Sequence, residues 1–102
     1  MNAINKVSDI TYEDIASYIK IDLPLEDEEK NLLNNLINIS KNFIVNYTGK
    51  KLEELDNYSD FIIVVLILCQ DMYDTRNLCV DKTNMNKVVE TILGMHSENL
   101  LW

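Results

Sequence analysis

The chain has 102 residues, 47% of them hydrophobic, and carries a formal net charge of −8 with a pI near 4.4. This length and composition are typical of one folded domain over residues 1–102 with a modest core, and they argue against a disordered chain. Nucleic acids and anionic membranes bind basic patches, and the sequence has no extended run of lysine and arginine. We therefore expect neither as a specific ligand.

The first predicted helix follows a polar leader over residues 1–8, which we expect to be loose. The leader lacks an apolar stretch, so we expect no signal peptide. Thr11 is predicted to cap the helix, with Asp14 three residues later completing a variant of the capping box. The helix is predicted to run to about Lys20, because Pro24 disfavours helix at the residue before it.

The second predicted helix begins with the acidic run at residues 26–29, because acids interact favourably with a helix N-terminus. A calcium loop is the alternative, but the run lacks the D-x-[DN]-x-[DN]-G spacing. Apolar residues then follow at helical steps: Leu32, Leu33, Leu36, Ile37, Phe43, Ile44 and Tyr47. Gly49 is predicted to supply the left-handed residue at the helix C-cap. Residues 50–57 form a connector that is predicted to hold a short helical turn.

The central element of the chain is an apolar run over residues 61–69. Its Ile and Val content leaves a strand open, because periodicity does not decide for so short a run. The segment from Ser59 to Arg76 has no Gly or Pro and is about three times as long as the usual ~5–6-residue strand. We therefore predict one helix over about residues 59–77, capped by Asn57 or Ser59 and covered on every side by its neighbours.

The polar continuation of this helix, residues 70–77, is predicted to lead out of the core towards a surface or an interface. The apolar run is too short to cross a membrane, which takes ~20 residues. The predicted fold is thus an all-α bundle of about four helices around this central helix.

A last helix is predicted after residue 83, with Asp81 or Thr83 as its cap. Its inward residues are predicted to be Met85, Val88, Val89, Ile92 and Met95. The segment 97–102 ends in Leu100, Leu101 and Trp102. Such an apolar end either folds back on the domain or docks on a partner, and both alternatives remain open.

The sequence contains no phosphate-binding loop, CxxC, HExxH or G-x-S-x-G motif. We therefore expect a non-enzyme without catalytic residues, cofactor or metal, and His96, the only histidine, is interpreted as structural or exposed. Asp71 and Asp74 share a helix face, and a polar network with Arg76 is favoured over acid–base catalysis. The two cysteines, at positions 69 and 79, are interpreted as packing residues in a reducing cytoplasm.

Several segments together resemble the head–tail connector (head-completion or adaptor) proteins of long-tailed double-stranded DNA phages. The family's short first helix and (L/I)-(R/K)-(I/L)-D step are matched by YIKID at residues 18–22. Its acidic opening and helix ending in Y-T-G are matched by residues 26–29 and 47–49. Its apolar helix ending in a Y-(D/E)-x-R sequence is matched by residues 61–69 and by YDTRN at 73–77. The resemblance covers roughly residues 9–80.

This resemblance implies a structural virion protein that forms a homo-oligomeric ring, commonly twelvefold, beneath the portal after DNA packaging. It implies three contacts: sister copies, the portal protein and a downstream stopper or tail-joining protein. DNA would pass through the channel without specific binding, because an acidic lumen repels phosphates. The implied location is the head–tail junction of the virion, and the host cytoplasm during assembly. The candidate interface residues are Tyr73, Asp74, Arg76, Leu100, Leu101 and Trp102.

A function of another class remains open, a small acidic helical regulator or inhibitor that binds a protein partner. Carboxylates on one face would suit such a protein, but here acids occur in every segment and cluster at helix starts. Size separates the two hypotheses, because a regulator should stay monomeric or dimeric and a connector should form rings.

Overall fold

The computed structural model describes residues 6–21, 25–80 and 85–97. These ranges contain four α-helices and no strand: α1 (Tyr12–Ile19), α2 (Asp27–Thr48), α3 (Asp60–Thr75) and α4 (Lys87–His96). Two short 3-10 helices, Val7–Asp9 and Leu52–Asn57, precede α1 and α3. The prediction of an all-α bundle of about four helices is confirmed.

Helix α1 begins and ends as its sequence predicts. The Thr11 hydroxyl accepts a hydrogen bond from the Asp14 N–H, and the Asp14 carboxylate accepts one from the Thr11 N–H, at 2.9 Å. This reciprocal capping box satisfies two N–H groups that a helix start otherwise leaves without partners. At the other end Lys20 adopts a left-handed conformation with φ 69°, which stops the helix.

Helix α2 runs from the acidic stretch to Gly49, whose φ of 78° confirms its predicted role as the C-cap. Its buried face contains two hydroxyl groups, on Ser40 and Thr48. Each hydroxyl donates to the backbone carbonyl one turn earlier, on Leu36 at 2.9 Å and on Ile44 at 2.7 Å. Burial of these polar groups is therefore compensated within the helix itself.

Helix α3 lies at the centre of the bundle and contacts α1, α2 and α4. The predicted helix over residues 59–77 is confirmed to within two residues at each end, with Ser59 at the N-cap position but without a side-chain capping bond. Phe61 is the largest fully buried side chain of the helix. The expectation that this helix is covered on every side is wrong at Ile63, whose side chain is 50% exposed. Three packed helices leave one stripe of α3 open to solvent.

Helix α4 differs from its prediction in two respects. Its cap is Asn86, whose side-chain oxygen accepts from the Val88 N–H at 2.8 Å, whereas Asp81 and Thr83 lie outside the described residues. Its buried residues are Val89 and Leu93, and the expected inward residues Val88 and Met95 are 50% and 66% exposed. The apolar arc of α4 is wider than the surface it packs on, so one edge of that arc is left outside.

The leader also differs from its prediction at its last residues. Val7 is only 2% exposed and belongs to the core. Ser8 donates from both its backbone N–H and its hydroxyl to the Asp56 carboxylate, each at 2.9 Å. The expected loose leader therefore does not reach residue 8, because Val7 has core to fill and Ser8 ties the segment to the second 3-10 helix. No helix in the described ranges is both long and apolar enough to cross a membrane.

Candidate docking site at the end of helix α3

The C-terminal end of α3 is shaped by Arg76, which adopts a left-handed conformation with φ 55°. Its N–H bonds back to the helix carbonyls of Met72 and Tyr73, and the Asn77 N–H donates to the Met72 carbonyl at 3.2 Å. These bonds satisfy carbonyls that a helix end would otherwise leave open. The chain after Asn77 therefore turns sharply away from the helix axis.

The side chain of Arg76 lies over the ring of Tyr73, with its guanidinium carbon 4.4 Å from the ring centroid. The Tyr73 hydroxyl donates to the Glu29 carboxylate at 2.6 Å, which joins the end of α3 to the start of α2. This hydrogen bond raises the pKa of Tyr73, burial adds to the rise, and Arg76 partly offsets it. Tyr73, Glu29 and Arg76 thus form one polar network across two helix ends.

A cleft of about 310 Å³ opens beside this network and is called the α3 cleft below. Its apolar lining comes from the helix and from the chain that follows it: Leu68, Met72, Val80 and Met85. Its polar lining comes from Asp71, Asp74, Thr75, Asn77 and Cys79. The buried Leu68 and Met72 give it an apolar floor, and the exposed carboxylates of Asp71 and Asp74 give it an acidic rim.

The acids of the rim share one small volume of the cleft. Partial burial raises the pKa of the Asp71 carboxyl, and the neighbouring charge of Asp74 raises it further. Both effects disfavour two separate negative charges at the rim, and a cation placed between them would relieve the repulsion. The α3 cleft is therefore suited to a group that combines an apolar side chain with a positive charge.

The structure places the predicted interface residues in different positions. Asp74 lines the α3 cleft, whereas Tyr73 and Arg76 belong to the polar network beside it. Within the described ranges no ion pair joins Arg76 to Asp71 or Asp74, because the guanidinium stacks on Tyr73 instead. Leu100, Leu101 and Trp102 lie outside the described residues.

The two cysteines occupy different environments, although both were expected to pack. Cys69 is buried beside the Ser40 hydroxyl, 3.5 Å away, and burial raises the pKa of its thiol to about 11. Cys79 is exposed and lines the α3 cleft. The packing interpretation is wrong for Cys79, because this residue follows the end of α3 and does not continue its buried face.

His96 has the structural position that its isolation in the sequence predicts. Its ring lies 4.7 Å from the Tyr58 ring and 4.8 Å from the Phe61 ring, and its Nε2 is 3.2 Å from a carboxylate oxygen of Asp60. These contacts join the end of α4 to the start of α3. In the ranges that the structure describes, no three His, Cys, Asp or Glu side chains are grouped to hold a metal ion.

The sequence did not reveal the α3 cleft as a cavity. Two of its walls, Val80 and Met85, belong to the chain between α3 and α4. Because these residues lie outside α3, the periodicity of the α3 sequence does not predict that they pack beside it. The signal that was present is the abrupt change from apolar to polar residues at position 70.

Comparisons of the chain with protein-family models, curated proteins and solved structures gave no significant match.

Proposed function

We propose that this chain is a structural subunit of a phage head–tail connector. In this proposal its copies form a ring beneath the portal of the DNA-filled head and present a surface to the next stopper or tail-joining protein. The observation that carries the proposal is the division of α3 into a buried half and an outward half that ends at an open cleft. A helix that serves the core and then a docking surface is what a small ring subunit requires.

The positions of the resemblance motifs support the proposal. YIKID, Y-T-G and YDTRN each fall at the C-terminal end of a helix, on α1, α2 and α3 respectively. Each contains the left-handed residue that ends its helix, at Lys20, Gly49 and Arg76. The motifs therefore share a physical role, which is to set where each helix stops and where the chain turns.

Exposed apolar side chains also support an assembly role. In the described ranges five large ones are between 49% and 66% exposed: Leu52, Ile63, Leu78, Val88 and Met95. A chain with a net charge of −8 repels its own copies. Assembly must then depend on burial of such apolar groups and on local pairing of opposite charges, with the portal as template.

Electron microscopy of the purified protein, alone and mixed with portal-bearing heads that lack a connector, tests the proposal. We expect rings on the portal vertex. A variant with Val88 and Met95 replaced by serine tests whether the exposed edge of α4 contributes to the formation of these rings. A protein that stays monomeric or dimeric and never decorates heads would contradict the proposal and favour the acidic regulator. A ring whose channel is lined by Lys and Arg, with the acids facing outward, would contradict the acidic lumen.

The apolar segment Leu100, Leu101 and Trp102 is the second contact that the proposal includes. Leu and Trp make effective buried anchors at interfaces. Deletion of these three residues should leave the circular dichroism and thermal unfolding of the domain unchanged and abolish binding to heads. Undiminished binding would remove this segment from the interface.

A further inference from the structure

The α3 cleft and the exposed corner formed by Lys51 and Leu52 lie at opposite ends of helix α3. The corner begins the 3-10 helix Leu52–Asn57, which leads directly into the N-terminus of α3. The cleft surrounds the C-terminus of the same helix. A helix of 16 residues is about 24 Å long, so one copy cannot close its own corner into its own cleft.

The corner combines a positive charge with an exposed apolar side chain, which complement the acidic rim and the apolar floor of the α3 cleft. Leu52 is 53% exposed and lies at the edge of a shallow recess of about 230 Å³. Lys51 beside it is exposed, and its backbone N–H donates to the Glu54 side chain at 3.0 Å, which fixes the turn. The neighbouring Lys50 is buried with its ammonium 4.9 Å from the centre of the Tyr58 ring, so it is held within its own chain.

We propose that Lys51 and Leu52 of one copy dock in the α3 cleft of the next copy. Leu52 occupies the apolar floor formed by Leu68 and Met72, and the Lys51 ammonium lies between the carboxylates of Asp71 and Asp74. The volume of about 310 Å³ accommodates a leucine side chain together with the adjoining part of a lysine. Charge complementarity then sets the orientation of one copy against the next.

The contact is head-to-tail, because it joins different surfaces of two identical chains. Such contacts do not close at a dimer; they generate rings when the rotation between copies closes, and filaments when it does not. This inference rests on the proposed connector function and names the contact that would build its ring. It also explains how chains with a net charge of −8 associate, since the Lys51 cation is brought to the acidic rim of the α3 cleft.

A second exposed pair, Lys87 and Val88, offers a different occupant of the cleft. It begins α4, close along the chain to Met85 in the cleft wall, and so lies at the same end of the molecule as the cleft. Docking through this pair would be reciprocal between two copies and would stop at a dimer. It is the competing outcome in the experiment below.

Disulfide cross-linking distinguishes the two arrangements, because Cys79 already lines the cleft and Cys69 is buried. Under mild oxidation, Leu52→Cys should give a ladder of dimers, trimers and higher multimers on a non-reducing gel, and peptide mass spectrometry should show that its disulfides join position 52 to Cys79. The unmodified chain, with Cys79 as its one exposed cysteine in the described ranges, should not pass dimer. Val88→Cys is the matched variant, and efficient dimers from it with no ladder from Leu52→Cys would overturn the inference.

Charge reversal provides an independent measurement. Lys51→Glu should weaken association at least about tenfold in sedimentation, because it places a third acid against Asp71 and Asp74. Lys87→Glu changes the net charge by the same amount and should have little effect. Equal weakening by both variants would overturn the inference. For a chain that assembles only on heads, the Leu52→Cys variant is oxidised on the assembled heads. Rings that form without a disulfide between position 52 and Cys79 would overturn this contact and leave the proposed function intact.

Discussion

The two halves of α3 show how one helix serves two purposes. Residues 61–69 are almost wholly buried, with Ile63 and Ile67 as the exceptions, whereas most of residues 70–75 face solvent or the α3 cleft. The first half is held by packing against three other helices. The second half is held by the Tyr73–Glu29 hydrogen bond and by the left-handed stop at Arg76.

The buried half and the polar half of α3 are therefore under different structural constraints. The apolar half tolerates few substitutions, because each core contact that a substitution removes lowers the free energy of unfolding. The polar half carries side chains whose loss the fold can tolerate, and it is therefore the half that is available for binding. Perturbations of the two halves should consequently differ in size and in kind.

The largest effect is expected from Phe61→Ala in the buried half. Removal of this fully buried ring should lower the free energy of unfolding by about 3–5 kcal/mol, measured by urea denaturation. Ile63→Ala, two residues away but half exposed, should lower it by less than about 1 kcal/mol. Similar losses for both variants would show that α3 is not packed as described.

Thiol reactivity compares the two halves with a chemical probe. At pH 8 Cys79 should react rapidly with a maleimide, and Cys69 should react at least about a hundredfold more slowly. The burial that raises the pKa of Cys69 to about 11 also blocks its access to reagent. Mass spectrometry after brief labelling should show one adduct, and two adducts should appear only in denaturant. Two adducts on the folded chain would contradict the burial of Cys69.

A smaller effect is expected from Tyr73→Phe in the polar half. Loss of the bond to Glu29 should lower the free energy of unfolding by about 1 kcal/mol. In a double-mutant cycle, the effects of Glu29→Gln and Tyr73→Phe on the free energy of unfolding should not be additive. Glu28→Gln, on the same helical turn, is the control, and its effect should add to that of Tyr73→Phe.

The stability of this bond also depends on pH. Because the folded pKa of Tyr73 is raised, its contribution is fully present below about pH 10 and is lost as the pH rises through the folded value. The stability difference between the unmodified chain and Tyr73→Phe should therefore narrow in that alkaline range. A constant difference would show that the Tyr73 hydroxyl is not bonded to Glu29.

The smallest effects concern the left-handed helix ends. Lys20→Gly should raise the free energy of unfolding by about 0.5–1 kcal/mol, because glycine adopts φ 69° without strain. Arg76→Gly gains the same relief but loses the contact with the Tyr73 ring, worth about 0.5–1 kcal/mol, and should be nearly neutral. A clear gain from Arg76→Gly in thermal unfolding would show that the stacking adds nothing.

Local signals in the sequence were sufficient for the four helices and for the ends of α1, α2 and α3, but not for the start of α4. The Thr11 and Asp14 capping box, the left-handed Gly49 and the long apolar run of α3 are short-range features with one favourable structure each. The α4 face was mispredicted, because Met85, Val88, Val89, Ile92, Leu93 and Met95 form a broad apolar arc. The positions of α2 and α3, which both pack against α4, decide which edge of that arc is buried.

The candidate site was predicted only in part. The polar end of α3 was expected to be a surface, and Asp74 does line the cleft. The cleft itself depends on residues beyond Asn77 that return past the helix end, a long-range feature without a periodic signal. The pairing of Tyr73 with Glu29 joins residues 44 positions apart, and no local pattern selects Glu29 from the acids around it.

We propose that the polar end of α3 is a contact between copies of the chain. Its most direct test is the rate of Cys79 alkylation in assembled rings and in isolated subunits of the unmodified protein. Occupied clefts should slow alkylation at least about tenfold in the ring, while Cys69 stays unreactive in both states. Rings whose Cys79 reacts as fast as in the free subunit would contradict the claim.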